Sequence, residues 1–245
     1  MRLVLYNIRY GVGSGIATHL PVPGAGYVLG NQANLDRLIE FLQSQSPDIV
    51  GLVEVDTGSI RSRNVNQAKV IADALGHTSS YETKYGNNSL NQLLPIIRKQ
   101  GNAFLAAPTI HNERFHYFDT GIKKLIIELE LNDIAIFLVH LSLKYRHRHL
   151  QLRHLYDLVA ATDKPVMVIG DFNTFWGQDE IYLFQRATGL KSANTEALPS
   201  YPSRSPRREL DFILYQDGIT IDSFSIPDVT LSDHLPLVCD FHVNH

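Results

Sequence analysis

The segment Gly170-Asp171-Phe172-Asn173 sets a carboxylate and a carboxamide two residues apart, directly after the apolar run Pro165-Val166-Met167-Val168-Ile169. A β-branched run bounded by Pro and Gly reads as a fully buried strand, so those polar groups are delivered to the mouth at its C-terminal end. Such mouths are where α/β sheets keep their ligands. The pattern recurs along the chain. Asp48-Ile-Val-Gly-Leu-Val-Glu54 ends a buried run in a carboxylate, Ile134-Ala-Ile-Phe-Leu-Val-His140 ends one in an imidazole, and Met1-Arg-Leu-Val-Leu-Tyr-Asn7 ends one in an amide. To these are added Asp211, in Glu209-Leu-Asp-Phe-Ile-Leu214, and the pair Asp233-His234, in Ser232-Asp-His-Leu-Pro-Leu237.

The set is rich in oxygen and free of thiols. Carboxylates with amide oxygens are hard ligands that suit Mg²⁺ or Mn²⁺, whereas zinc would call for more imidazole or thiolate. Such a set suits attack of water on a phosphate ester. The metal neutralises phosphoryl and leaving oxygens, a carboxylate orients and deprotonates the water, and imidazoles and amides stabilise charge in the transition state. Each residue alone has a bland reading: an Asn or Asp at a strand end is commonly a turn or cap, and a lone His is more often a satisfied one. The argument rests on their joint placement at strand mouths.

The elements that must position them follow from periodicity. Gly11 to Gly30 is rich in Gly and Pro and reads as a long loop, a candidate lid. Leu35, Leu38, Ile39 and Leu42 recur at helical spacing, with Asn31 or Asn34 as cap and Pro47 as stop. A second helix opens at Asn66, buries Ala68, Ile71, Ala72 and Leu75, and ends at Gly76. From Thr78 to Leu131, short apolar runs at Leu93 to Ile97, Ala103 to Ala106 and Lys124 to Leu129 alternate with turn residues and read as antiparallel strands. A third helix spans His147 to Ala161 on Leu150, Leu155, Leu158 and Val159, and a fourth lies near Asp179 to Thr188. Strands follow at Glu209 to Tyr215, Ile219 to Ser225 and Pro236 to Val243. This order predicts one α/β domain over residues 1–245, a sandwich of two mixed sheets with helices outside.

Composition narrows the function classes. With 245 residues and 44% apolar content the chain can bury one large core, and a net charge of −3 supplies no global basic field for a polyanion. The single cysteine, Cys239, lies in an apolar run and reads as a buried spectator. No stretch approaches the ~20 apolar residues of a membrane span, so no stable membrane insertion and a cytoplasmic location are expected. The sequence suggests no protein partner.

Taken together, Met1 to Asn7, Asp48 to Asp56, Gly101-Asn-Ala-Phe-Leu105, Val139-His-Leu-Ser142, Gly170 to Asn173, Arg208-Glu-Leu-Asp211 and Ser232 to Leu237 resemble the endonuclease/exonuclease/phosphatase superfamily. That resemblance implies the DNase I-like four-layer α/β sandwich, with the two sheets packed face to face. It also implies that Glu54 is the principal Mg²⁺ (or Mn²⁺) ligand with Asn7 and Asp233 beside the metal. Asp171 would orient or deprotonate the attacking water, and Asn173, His140 and His234 would contact the scissile phosphate. Asp211 would hold His234 protonated, since a neighbouring carboxylate favours imidazolium.

The substrate is less sharply marked. Val53-Glu-Val-Asp56 stands where abasic-site endonucleases typically show Gln-Glu-Thr-Lys, and His140 where they carry Tyr; Pro206-Arg-Arg-Glu-Leu-Asp211 replaces the Trp-Cys-Asp-Arg motif of inositol phosphatases. The chain looks more like the small bacterial phosphodiesterases of the superfamily, although Ala106-Ala107 departs from the Ser-Arg of many relatives. Basic clusters flank the site: Lys144-Tyr-Arg146-His-Arg148-His149, then Arg204, Arg207 and Arg208, with Arg61 and Arg63 after Glu54. Arg61, Arg63, Arg146 and Arg208 are candidate substrate contacts, each able to meet a phosphate or to be an ordinary surface charge. Phe172, Phe175 and Trp176 form either a wall that stacks a base or sugar, or part of the core. The expected reaction is hydrolysis of a phosphodiester, with DNA or RNA as leading substrate. A small phosphorylated metabolite or a phospholipid head group, as in sphingomyelinase-like enzymes, is the alternative. An inactive binding module is the third reading, opposed by the intact Glu54, Asp171, Asp233 and His234.

Overall fold

The computed structural model describes residues 1–14, 32–83, 99–107 and 109–244. Most of the Gly/Pro-rich loop, the Asn31 cap and the expected strand at Leu93 to Ile97 lie outside the described residues.

Strand β1 (Arg2–Asn7) is followed by helix α1 (Gln32–Gln45) and strand β2 (Ile49–Asp56). β1 and β2 pair in parallel, which requires such a crossover. Helix α2 (Gln67–Leu75) starts where the Asn66 side chain accepts a hydrogen bond from the Lys69 N–H, and it ends at Gly76 with φ 69°. Strands β3 (Thr78–Thr83), β4 (Gln100–Ala106), β5 (Asn112–Tyr117), β6 (Leu125–Glu130) and β7 (Ala135–His140) come next, then helix α3 (Tyr145–Ala160) and strand β8 (Val166–Asp171). Helix α4 (Asp179–Thr188), the short β9 (Lys191–Ser192), β10 (Asp211–Tyr215), β11 (Ile219–Ser225) and β12 (Leu237–Val243) complete the order.

Among the described residues two six-stranded mixed sheets result, ordered β11-β12-β1-β2-β4-β3 and β5-β6-β7-β8-β10-β9. In each, one central pair is parallel (β1 with β2, β7 with β8) and its flanks are antiparallel. Alternation assigns the faces. Leu3 and Leu5 of β1 join Phe104, Ile127, Leu138, Ile169 and Ile213 in the core between the sheets. Val4 and Tyr6 of the same strand pack outward under α1 and α2 with Leu38, Leu52 and Ile71. On the far side Phe137, Val139 and Val168 meet Leu155 and Phe184 of α3 and α4. Because both faces are covered, the central strands read as continuous apolar runs. The expected four-layer α/β sandwich is the architecture observed.

Several local expectations change. Asn34 is no cap: it lies inside α1, buried, with its amide donating to the carbonyls of Gly11 and Leu231. α3 begins at Tyr145, and its buried side contains Arg148, Gln151, Leu152, Leu155 and Val159, while Leu150 is exposed and Leu158 half-buried. β3 and β5 gave no apolar signal because both lie at sheet edges and face water along much of their length. Cys239 is buried in β12, and burial pushes its thiol up to about 12, which keeps it inert.

Gly170 is a position where no other residue fits. Its φ is 146°, and a Cβ there would run into the Val139 backbone of the neighbouring strand. Gly170→Val is expected to cost at least ~2 kcal/mol through this overlap, or to prevent folding. Thermal unfolding of the variant beside wild type checks this, and an unchanged Tm would refute the crowding argument.

Candidate active site

Register brings the polar strand ends together. His140 of β7 pairs with Asp171 of β8, and Asp171 pairs with Asp211 of β10, so three candidate site residues stand abreast on adjacent strands. Asn7 arrives from β1 in the opposite sheet, and its Nδ2 donates to Asp171 Oδ2 at 3.1 Å. Glu54 is aimed by a backbone irregularity: the β2–β4 register shifts between Val53 and Val55, and Glu54 adopts φ 60° inside that bulge. Its N–H donates to Asn102 Oδ1 at 3.3 Å. Asn173 also has a left-handed backbone, φ 54°, immediately after the strand. Strained backbone at two of the candidate residues is what a constrained functional site shows.

Asp233 and His234 come from the segment before β12. The loop around Ser200 pins it: Leu235 N–H donates to Ser200 O at 2.8 Å, and Ser203 N–H to Asp233 O at 2.8 Å. The Ser200 hydroxyl in turn donates to Asp211 Oδ2 at 2.6 Å. His234 Nδ1 lies 2.7 Å from that same oxygen, and its ring packs on Tyr201 with centroids 4.9 Å apart.

A cleft of about 720 Å³ opens above these groups, lined among others by Asn7, Glu54, Asp171, Asn173, Asp233 and His234. Asp171 forms its buried floor. Besides Asn7 it accepts the Asn173 N–H at 3.0 Å, and its Oδ2 lies 3.2 Å from His140 Nε2 and 3.9 Å from His234 Nε2. Burial alone would push this carboxyl upward, but His140, His234 and Lys123 overcome that and hold it well below the ordinary carboxylate range. Burial likewise disfavours a charged His234, yet the contact with Asp211, backed by Asp171 and Asp233, pushes it up to about 10. The site therefore offers an ionised carboxylate beside an imidazolium at neutral pH.

Two donor sets could receive a cation. Asp171, Asp211 and His234 bring ligand atoms within 4.8 Å of one another, although a protonated His234 has no lone pair to give while it serves Asp211. Asn7, Glu54 and Asp233 offer hard oxygens on the cleft wall. Positive charge is already drawn to Glu54, whose Oε1 lies 4.0 Å from Lys123 Nζ and 3.9 Å from His140 Nδ1.

Of the arginines singled out from sequence, Arg208 is exposed and does not itself line the cleft, but its guanidinium lies 5.2 Å above the ring of Phe175, which does. Arg146 and Arg63 are exposed and do not line the cleft. Arg61 points inward, its side chain sealed against Asp56 at 2.8 Å and stacked 4.3 Å over the Tyr10 ring, so it supports the cleft wall from behind. Phe172 is core, packed on Phe212; Phe175 lines the cleft; Trp176 is 85% exposed. Arg9 and Lys123 were not read from the sequence. Arg9 Nε lies 3.5 Å from Asp233, and Lys123 Nζ contacts His140 Nε2. Lys123 precedes β6, whose start lies beside the end of β7 only because the two run antiparallel, so its signal exists once that pairing is known.

The pattern of the Endonuclease/Exonuclease/phosphatase family matches residues 4–234, from β1 to His234. The chain belongs to this family. A member of the UPF0294 proteins from Yersinia enterocolitica is 28% identical over 153 residues, 62% of this chain and 52% of that protein. One from Erwinia tasmaniensis is 27% identical over 158 residues. The chain thus spans about half the length of the curated relatives it matches. Among solved structures, the catalytic domain of human Nocturnin with a bound sulfate anion superposes with a TM-score of 0.72 at 19% identity, covering 100% of this chain and 94% of that one. Bacteroides thetaiotaomicron mannosyl-6-phosphatase Bt3783 gives 0.73 at 13% identity, covering 99% of each. These likenesses establish the DNase I-like fold. No helix among the described residues is long and apolar enough to cross a membrane.

Proposed function

We propose that the chain is a divalent-metal-dependent phosphodiesterase, with nucleic acid as leading substrate. The observation that carries this reading is Asp171: a buried carboxylate kept ionised by two imidazoles and an ammonium, at the floor of an open cleft. Asn7, Glu54 and Asp233 would hold Mg²⁺ or Mn²⁺, which when bound neutralises phosphoryl and leaving-group oxygens. Asp171 orients the attacking water and takes its proton. The His234 imidazolium, kept charged by Asp211, donates to a phosphoryl oxygen, and His140 and Asn173 meet the same group. The Phe175 ring under Arg208 offers a face on which a base can stack.

A compact phosphoester is the second reading, favoured by one observation. Arg61 and Arg148, counted among the basic residues near the site, are neutralised inside the fold by Asp56 and Glu180, which leaves a thinner cationic field than the sequence suggests. The mannosyl-6-phosphatase shows that a phosphatase can share this fold.

Parallel assays with Mg²⁺ on plasmid, abasic duplex, single-stranded RNA, sphingomyelin and inositol phosphates separate the two, each run with wild type and Asp171→Asn. Cleavage of a polynucleotide that disappears in the variant supports the leading reading. Turnover confined to small phosphoesters replaces it with the second.

A further inference from the structure

Arg148 is the largest side chain buried essentially completely in the described structure. A buried guanidinium is costly unless a counter-charge and hydrogen-bond acceptors meet it. Here Nε donates to Glu180 of α4, while Nη1 reaches three main-chain carbonyls, those of Ser142, Leu143 and Asn173, each at 3.0 Å. Glu180 Oε2 takes no hydrogen bond among the described residues, so the Arg148 cation is what offsets that buried charge.

Those carbonyls belong to the two segments that carry the cleft. Ser142 and Leu143 follow His140 at the end of β7, and Asn173 follows Asp171 at the end of β8; all three line the cleft on one side and meet Arg148 on the other. Asn173 sits in a left-handed backbone that a non-glycine residue holds only when its surroundings enforce it. Its N–H goes to Asp171 Oδ1 and its side-chain Nδ2 to Leu141 O, while its carbonyl accepts from both the Phe175 N–H at 2.9 Å and Arg148 Nη1. A second α3 residue, Gln151, accepts the Ser142 N–H at 2.8 Å, so both main-chain groups of Ser142 are fixed from the same helix.

We infer that Arg148, paired with Glu180, is a positioning residue that holds the segments after His140 and after Asp171 in one geometry, acting on the reaction through Asn173. This rests on the phosphoester reading above. The planar fork lets one side chain meet Glu180 through Nε while Nη1, on the next arm, meets the carbonyls, and a single ammonium nitrogen cannot span both at the same spacing.

The test compares Arg148→Met and Arg148→Lys with Leu155→Ala, a core truncation in the same helix that touches none of these carbonyls. With bis-p-nitrophenyl phosphate and Mg²⁺, well below each Tm, the Arg148 variants are expected to lose about 10²-fold in kcat with KM little changed, since misplacement by an ångström costs that much. Leu155→Ala should lose stability but keep kcat. In a double-mutant cycle, Arg148→Lys should cost little once Asn173→Ala is present. Hydrogen exchange should quicken at 141–144 and 172–176 in the Arg148 variants alone. The inference is overturned if kcat falls no further than in Leu155→Ala, if the two effects simply add, or if exchange quickens throughout. Should Arg148→Met not fold, Arg148→Lys carries every comparison. A wild type without Asp171-dependent hydrolysis defeats the phosphoester reading instead, and the exchange pattern then decides the positioning role on its own.

Discussion

Asp171→Asn is expected to lower kcat for bis-p-nitrophenyl phosphate by at least ~10³-fold while the protein stays folded. The substitution is isosteric, and since the Asn7 Nδ2 and the Asn173 N–H meet different oxygens of Asp171, the carboxamide keeps an acceptor for one of them and loses it for the other. What disappears is the negative charge that lies 3.2 Å from His140 Nε2 and 3.9 Å from His234 Nε2, and with it the group able to take a proton from water. Loss of activity with an unchanged circular dichroism spectrum therefore reports chemistry rather than packing. Turnover within a few-fold of wild type would remove Asp171 from the mechanism and, with it, the observation on which the functional reading stands.

Removal of the metal should be equally severe. EDTA is expected to reduce hydrolysis to background, and Mg²⁺ or Mn²⁺ in excess of the chelator to restore it. Glu54→Gln should raise the Mg²⁺ concentration for half-maximal activity by about 10-fold or more, because a neutral amide replaces a hard anionic donor. The effect should be specific. Glu54 lies in a bulge at the rim, partly exposed, and its loss leaves the Asp211–His234 pair intact. EDTA-resistant hydrolysis, or a Glu54→Gln variant with wild-type Mg²⁺ dependence, would assign the charge stabilisation to Lys123, His140 and His234 alone.

The basic residues show where reading a chain from its residue types stops. In the basic cluster Lys144 to His149, Lys144 and Arg146 are exposed, as ordinary surface charges would be. Arg148 belongs to the opposite side of the same helix, buried against Glu180, thirty-two residues further along the chain. Arg61 met a comparable fate with Asp56, only five residues away. A charge and its neutralising partner are indistinguishable from two surface charges until the backbone brings them within hydrogen-bonding distance and excludes water. The same limit hid Lys123, which reaches the site through strand pairing rather than through proximity in sequence.

By itself the sequence determined the central strands, because burial on both faces demands unbroken apolar runs, and it determined which polar residues end them, because the runs stop where polarity begins. From those came the α/β sandwich and the set Asn7, Glu54, His140, Asp171, Asn173, Asp211, Asp233 and His234. Only the tertiary structure decided which of these touch. Register set His140, Asp171 and Asp211 side by side, and a bulge turned Glu54 into the cleft. It decided too which arginines stay exposed, Arg63, Arg146 and Arg208, and which are buried against carboxylates, Arg61 and Arg148. Contacts of this kind depend on pairing between distant segments and on local dielectric, and neither is a property of residue type or spacing.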